Sequence, residues 1–152
     1  MRSHLRYLGY VLRHKWHVAV AGWALGVPLW RLVIHDWTKF TPAEWRPYVQ
    51  RFFPTGQPAD PAAFDLAWEH HWTHSPHHWQ YWTRNRPGAP VPMPETYARE
   101  MVADWIGAGY AQGKPDTAAW YAANRDRKVL APETRALVER LLSEAQRRRL
   151  IP

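Results

Sequence analysis

The chain contains no cysteine. This excludes a disulfide framework, a thiolate zinc finger and a cysteine nucleophile, and it suits a reducing compartment, so a cytoplasmic location is expected. Acidic residues are also scarce: 13 Asp and Glu against 20 Lys and Arg leave a formal charge of +7. A balance of that sign favours anionic partners, meaning nucleotides, nucleic acid or an anionic membrane surface. Long hydrophobic runs are missing. The most apolar stretch, HVAVAGWALGVPLW, is interrupted by Gly22, Gly26 and Pro28 and followed by Arg31. A membrane span needs about twenty continuous apolar residues, so the stretch reads as core helix and no membrane partner is expected. Alternation of apolar and polar residues with a period of two is absent as well, and no strand is expected.

The composition, with 46% hydrophobic and 22% charged residues in 152, is that of a globular chain forming one domain over 1–152. Helix starts punctuate it. TPAE at 41–44 has the form of a capping box with proline at the first helical position, and Asp60-Pro61 and Ser75-Pro76 repeat the cap-then-proline pattern. Apolar spacing of three and four predicts helices near 3–25, 28–39, 42–53, 61–73, 76–83, 94–111, 116–126 and 132–149. The fold class is therefore all-α, a compact bundle of about six to eight helices. The proline-rich segment RNRPGAPVPMP at 84–94 is a loop and a candidate lid. Eleven tryptophans, four of them at seven-residue intervals (16, 23, 30 and 37), are expected to build the core.

Several polar residues interrupt apolar stripes. His14 lies on the face made by Tyr7, Val11, Val18, Ala21 and Leu25, and Asp104 on that of Tyr97, Met101, Ala108 and Ala111. LWRLVIHDWTKF sets His35 and Asp36 side by side in a hydrophobic run, with Lys39 one turn ahead. A buried carboxylate without a partner costs several kcal/mol, so Asp36 and Asp104 each need a cation or strong donors. The densest signal is AWEHHWTHSPHHWQYW at 67–82, which holds five of the nine histidines. Two short helices meeting at Ser75-Pro76 would each offer a histidine pair. Adjacent helical positions point about 100° apart, so one member of each pair should ligate directly. His74 should only decorate the turn. Imidazole and carboxylate without sulfur suit a divalent transition metal: Fe, Mn, Co, Ni or Zn, as one or two ions.

The order His14, then His35-Asp36 within HDWTKF, then histidines, then Asp104, resembles the HD-domain superfamily of metal-dependent phosphohydrolases. RHKW, HDWTKFTPAEW, HHWTHSPHHWQYW and EMVADWIGAGYAQG are more closely similar to a phage and bacterial domain family of unknown function placed near that group. The resemblance implies an HD-like helical fold with His14, His35, Asp36 and Asp104 as metal ligands, joined by His71, His77 and His78 in a binuclear site. It implies hydrolysis of a nucleotide or other phosphoester by a metal-activated water, with Asp36 possible as a bridge and Lys39 on a phosphate oxygen. Glu44, Glu69 and Glu100 are the carboxylates that could orient the water, Glu44 being placed with Asp36 and Lys39 among the catalytic residues. Oxidation of an organic substrate by two irons on the same fold, and non-catalytic binding of single-stranded nucleic acid, are the alternative readings.

Overall fold

A computed structural model describes residues 1–53, 56, 58–83 and 89–152. Among the described residues there are seven α-helices, three 3-10 turns and no strand. The helices are α1 (Arg2–Ala24), α2 (Leu29–Ile34), α3 (Pro42–Phe52), α4 (Pro61–His74), α5 (Glu95–Ala111), α6 (Thr117–Asn124) and α7 (Pro132–Arg147). The long helices α1 and α5 form the principal pair; α3 packs on α4, and α7 on α5. At the end of α1, Gly26 adopts φ 79° while the Val27 amide donates back to Gly22 O at 2.8 Å, closing the helix so that α2 can turn away. No helix among the described residues is long and apolar enough to cross a membrane.

Three expected helices are shorter or of another kind. The segment 28–39 stops at Ile34, Asp36 takes a left-handed conformation (φ 57°), and a 3-10 turn covers Trp37–Phe40. Aspartate tolerates that conformation better than most residues, which lets the chain break inside a hydrophobic run. Residues 76–83 form a turn followed by a 3-10 turn at Trp79–Trp82, and 125–127 is likewise 3-10. The capping box at 41–44 is not formed. Thr41 Oγ1 donates to Thr38 O at 2.7 Å, and Glu44 turns inward to full burial. Asp60 does cap α4, accepting from the Ala62 amide at 2.9 Å. Of the candidate lid, 84–88 lies outside the described residues. The remainder is anchored through Val91 N to Trp82 O (3.1 Å) and Met93 N to Thr134 Oγ1 (2.8 Å).

The apolar interior has two parts. One gathers Val18, Leu25, Leu32, Met101, Ile106 and Leu141; the other gathers Tyr7, Val11, Tyr48, Val49 and Ala67. His14 stands on α1 between Val11 of one part and Val18 of the other, so the polar cluster sits at the seam. The tryptophan expectation holds in part: Trp45, Trp68, Trp79, Trp82 and Trp105 pack half-buried against the two cores, and the seven-residue series does not. None of the eleven is fully buried, and Trp16, Trp23, Trp30 and Trp37 are 55–67% exposed. Two stripes competed for the core side of α1, and the one with small residues prevailed because α5 approaches too closely for indole rings.

Gly107 shows how close. A Cβ there would lie 2.8 Å from Val18 N. Gly107→Ala is therefore expected to cost about 3 kcal/mol, the upper end of ordinary overpacking, because backbone yields less than a side-chain tip. Gly9→Ala, in the same helix pair but with nothing within 4 Å of the added carbon, should be neutral or slightly stabilising. Melting temperatures of the two variants check this, and equal shifts would contradict the packing described.

Candidate metal centre

The break after Ile34 is what aims the central residues inward. Lys15 Nζ donates to the carbonyls of Val33 (3.2 Å) and His35, holding the chain where it leaves α2. His35 and Asp36 are then both buried, at 2% exposure each. Opposite them stand His14 from α1, Asp104 and Glu100 from α5, His71 from α4, and His77 and His78 from the turn after α4.

Asp36 is the hub, and its two carboxylate oxygens face different groups. Oδ2 lies 3.2 Å from His14 Nε2 and 3.5 Å from His35 Nε2, while Asp104 Oδ1 lies 3.1 Å from the same His14 nitrogen. Oδ1 lies 3.3 Å from His71 Nε2 and 3.4 Å from His77 Nε2. His78 Nε2 is 2.9 Å from His71 Nε2. Two four-residue sets of atoms result, His14/His35/Asp36/Asp104 and Asp36/His71/His77/His78, each with its atoms within 4.8 Å of one another, beside a smaller group of His35, His77 and Glu100. Either could hold a metal ion, with Asp36 common to both.

The donor geometry fits such an ion. Asp36 Oδ1, His35 Nε2 and His77 Nε2 are buried without a hydrogen-bond partner among the described residues. Ligand atoms about 2.1 Å from a metal stand about 3.0–3.4 Å from each other in octahedral or tetrahedral arrangement. The nitrogen–oxygen separations here are of that size. The outer nitrogens of His71, His35 and His77 are held from behind, whereas that of His14 is buried without a partner among the described residues. His71 Nδ1 donates to Glu44 Oε2 at 2.9 Å, with Thr38 Oγ1 at 3.1 Å. His35 Nδ1 donates to Glu100 Oε1 at 3.1 Å, His77 Nδ1 stands 3.3 Å from the same oxygen, and Arg31 pairs with Glu100 Oε2 at 2.6 Å. A carboxylate on Nδ1 fixes the tautomer that presents Nε2 as the ligand atom.

The electrostatics are those of a strongly coupled cluster. Burial pushes His14, His35 and His77 down, but hydrogen bonds and the field of Asp36, Asp104 and Glu100 outweigh it and leave all three raised above 6.5. Burial and the neighbouring imidazoles of His77 and His71 push His78 well below that value. Burial would raise the carboxylates, yet surrounding imidazoles and Lys39 hold Asp36 far below the ordinary range, and His14 and His35 do so for Asp104. Glu100 falls to about 2, its burial outweighed by His35 and His77. Lys39 Nζ, 2.5 Å from Asp36 Oδ2, is raised despite its burial by the Asp36 charge.

Sequence reasoning placed His14, His35, Asp36, His71, His77, His78 and Asp104 together, and they converge. Glu44 stands behind His71, its other oxygen 2.8 Å from His70 Nδ1, and does not face the Asp36 oxygens. One histidine of the 70–71 pair faces the centre, as helical geometry requires. Both of 77 and 78 do, because they lie outside a helix, His78 being extended (ψ 132°). His74 is exposed and bonds back to His70 O at 2.8 Å. Glu100 was only one of three spare carboxylates. Its position one turn before Asp104 on α5 was the signal that both acids share a face. Trp68 packs edge-on against His78, with ring centroids 5.2 Å apart.

No curated protein and no solved structure matches the chain significantly. A family model does, over residues 3–144, and the chain belongs to that family, described as a family of unknown function (DUF5662).

Proposed function

We propose that this member of the family is a metal-dependent phosphohydrolase acting on a nucleotide or other phosphoester. The observation that carries the reading is the division of the Asp36 oxygens between two sets of imidazoles, His14 and His35 on one side, His71 and His77 on the other. The order of these residues along the chain resembles that of the HD-domain superfamily, and the net charge of +7 favours an anionic substrate. His14, His35 and Asp104 would hold one ion with Asp36, and His71, His77 and His78 a second. Ions bound there would acidify a water and neutralise charge developing on phosphorus. Glu44 keeps His71, and Glu100 keeps His35 and His77, in the ligating tautomer. Lys39, already an ammonium beside Asp36, is placed to take a phosphate oxygen.

The test joins elemental analysis of the untagged, as-purified protein to a phosphate-release panel over nucleotides and simple phosphoesters. Stoichiometric transition metal and metal-dependent phosphate release are expected, and His35→Ala should lose both. Iron with oxygen consumption and no phosphate release would replace hydrolysis by oxidation. Absence of any bound metal would remove the reading altogether.

A further inference from the structure

Beside the Asp36 cluster opens a cavity of about 330 Å³, with Lys39, Tyr7, Tyr10, Tyr48, Phe52 and Phe53 among its walls. It abuts the histidines directly. The Tyr10 ring lies parallel to His14 (centroids 6.3 Å, 8°), and Tyr48 meets His71 edge-on (6.3 Å, 67°). The volume is at the small end for ligand pockets, which run to about 1,000 Å³. One nucleoside-sized molecule fits it, and an oligonucleotide does not.

Two tyrosines in this wall are unusual. Tyr7 and Tyr48 are buried, at 1% and 6% exposure, yet their hydroxyls have no hydrogen-bond partner among the described residues. Their rings are 6.2 Å apart. Buried hydroxyls are normally satisfied, so an unpartnered pair just beneath the cavity wall points to a partner that the described residues do not supply. Burial raises both phenols, more than Lys39 lowers them, so they remain proton donors at neutral pH. The Lys39 ammonium borders the same cavity, so three residues bearing donor groups line it, a set that suits the oxygens of an anion. The remaining walls are flat. Tyr10, Phe52 and Phe53 offer ring faces for stacking. Tyr10 and Phe53 also border a wider groove flanked by Arg6 and Arg13, neither of which forms an ion pair among the described residues.

Resting on the hydrolase reading, we propose that this cavity is the substrate subsite and that the substrate is a nucleoside monophosphate. The Tyr7 and Tyr48 hydroxyls, with Lys39, hold non-bridging oxygens of the phosphate against the metal centre. Tyr10, Phe52 and Phe53 clasp the base, and Arg6 and Arg13 draw the anion towards the mouth. A substrate without a ring would keep the phosphate contacts and lose the clasp.

The experiment compares wild type with Tyr7→Phe, Tyr48→Phe and Phe53→Ala, all loaded with the metal found on purification. Removing one hydroxyl should lower kcat/KM for AMP about 10- to 100-fold, as loss of a hydrogen bond to a charged group does. Metal content and melting temperature should be unchanged, because neither hydroxyl supports another residue. Phe53→Ala should raise KM for AMP much more than for glycerol phosphate, which has no ring. Unchanged kcat/KM in both tyrosine variants would overturn the subsite. If wild type loads metal but hydrolyses nothing, the hydrolase reading fails by itself. Calorimetric titration with AMP then decides the subsite: binding weakened in the tyrosine variants sustains it, and no binding by wild type refutes it.

Discussion

On the hydrolase reading, Asp36→Asn is expected to lose divalent metal and to lower phosphate release by at least about a thousandfold, since this one carboxylate would serve both ions. One carboxylate faces His14 and His35 with one oxygen and His71 and His77 with the other. An amide supplies one acceptor oxygen and turns an NH2 towards the opposite set. Asparagine keeps the size of the side chain and also tolerates the left-handed backbone at φ 57°, so backbone strain does not confound the result. The metal-free variant should be less stable too. Lys39 loses its counter-charge, and breaking a buried ion pair costs about 3–5 kcal/mol. Glu69→Gln, at an exposed carboxylate on α4, is the control and should change neither metal content nor stability. Elemental analysis and denaturant unfolding read both effects. Stoichiometric metal in Asp36→Asn would end the two-ion reading.

The second large effect is a reversal of pH dependence on removal of metal. In the metal-free protein His14, His35 and His77 bind protons more tightly than in the unfolded chain. Their stabilisation is complete below about pH 6.5 and drains away as pH rises through the raised values. His78, shifted well downwards, costs stability only as pH falls below about 6.5, where its imidazole protonates in the unfolded chain, and so leaves the slope above that pH to the other three. The carboxylates act at the acid end. Glu100, lowered to about 2, contributes fully above its unfolded value of 4.5, and that contribution is lost as pH falls towards 2; Asp36, Asp104 and Glu44 share its direction. Metal-free protein should accordingly be most stable at about pH 6.5 and melt lower at pH 8. With metal the slope between pH 6 and 8 should invert, because an ion binds imidazole only after the proton leaves. Thermal melts in chelator and in excess metal across that range check it. Parallel curves would show that ion and protons do not compete for the same nitrogens.

What could be read from residues alone was whatever repeats along a single helix. His14 between Val11 and Val18, and Asp104 after Met101, stood out because a polar residue on a buried face has few explanations. The all-helical class followed from the same periodicity. Glu44 was misplaced for a local reason: TPAE satisfies the capping pattern, and nothing in four residues shows that two histidines on another helix will claim the carboxylate.

Tertiary structure alone decided the remainder. The seven-residue tryptophan period was as regular as the histidine-bearing stripe, but only the contact of Gly107 with Val18 determines which side of α1 can be covered. The break at His35-Asp36, and the choice of His71 over His70, depend on groups from α1, α4 and α5 that are distant in the chain. Periodicity is a property of one helix and is written in its residues. Which face is buried, and which ring nitrogen meets which oxygen, depends on the approach of other helices, whose close packing at the seam accepts small residues and ligand-sized gaps and excludes large rings.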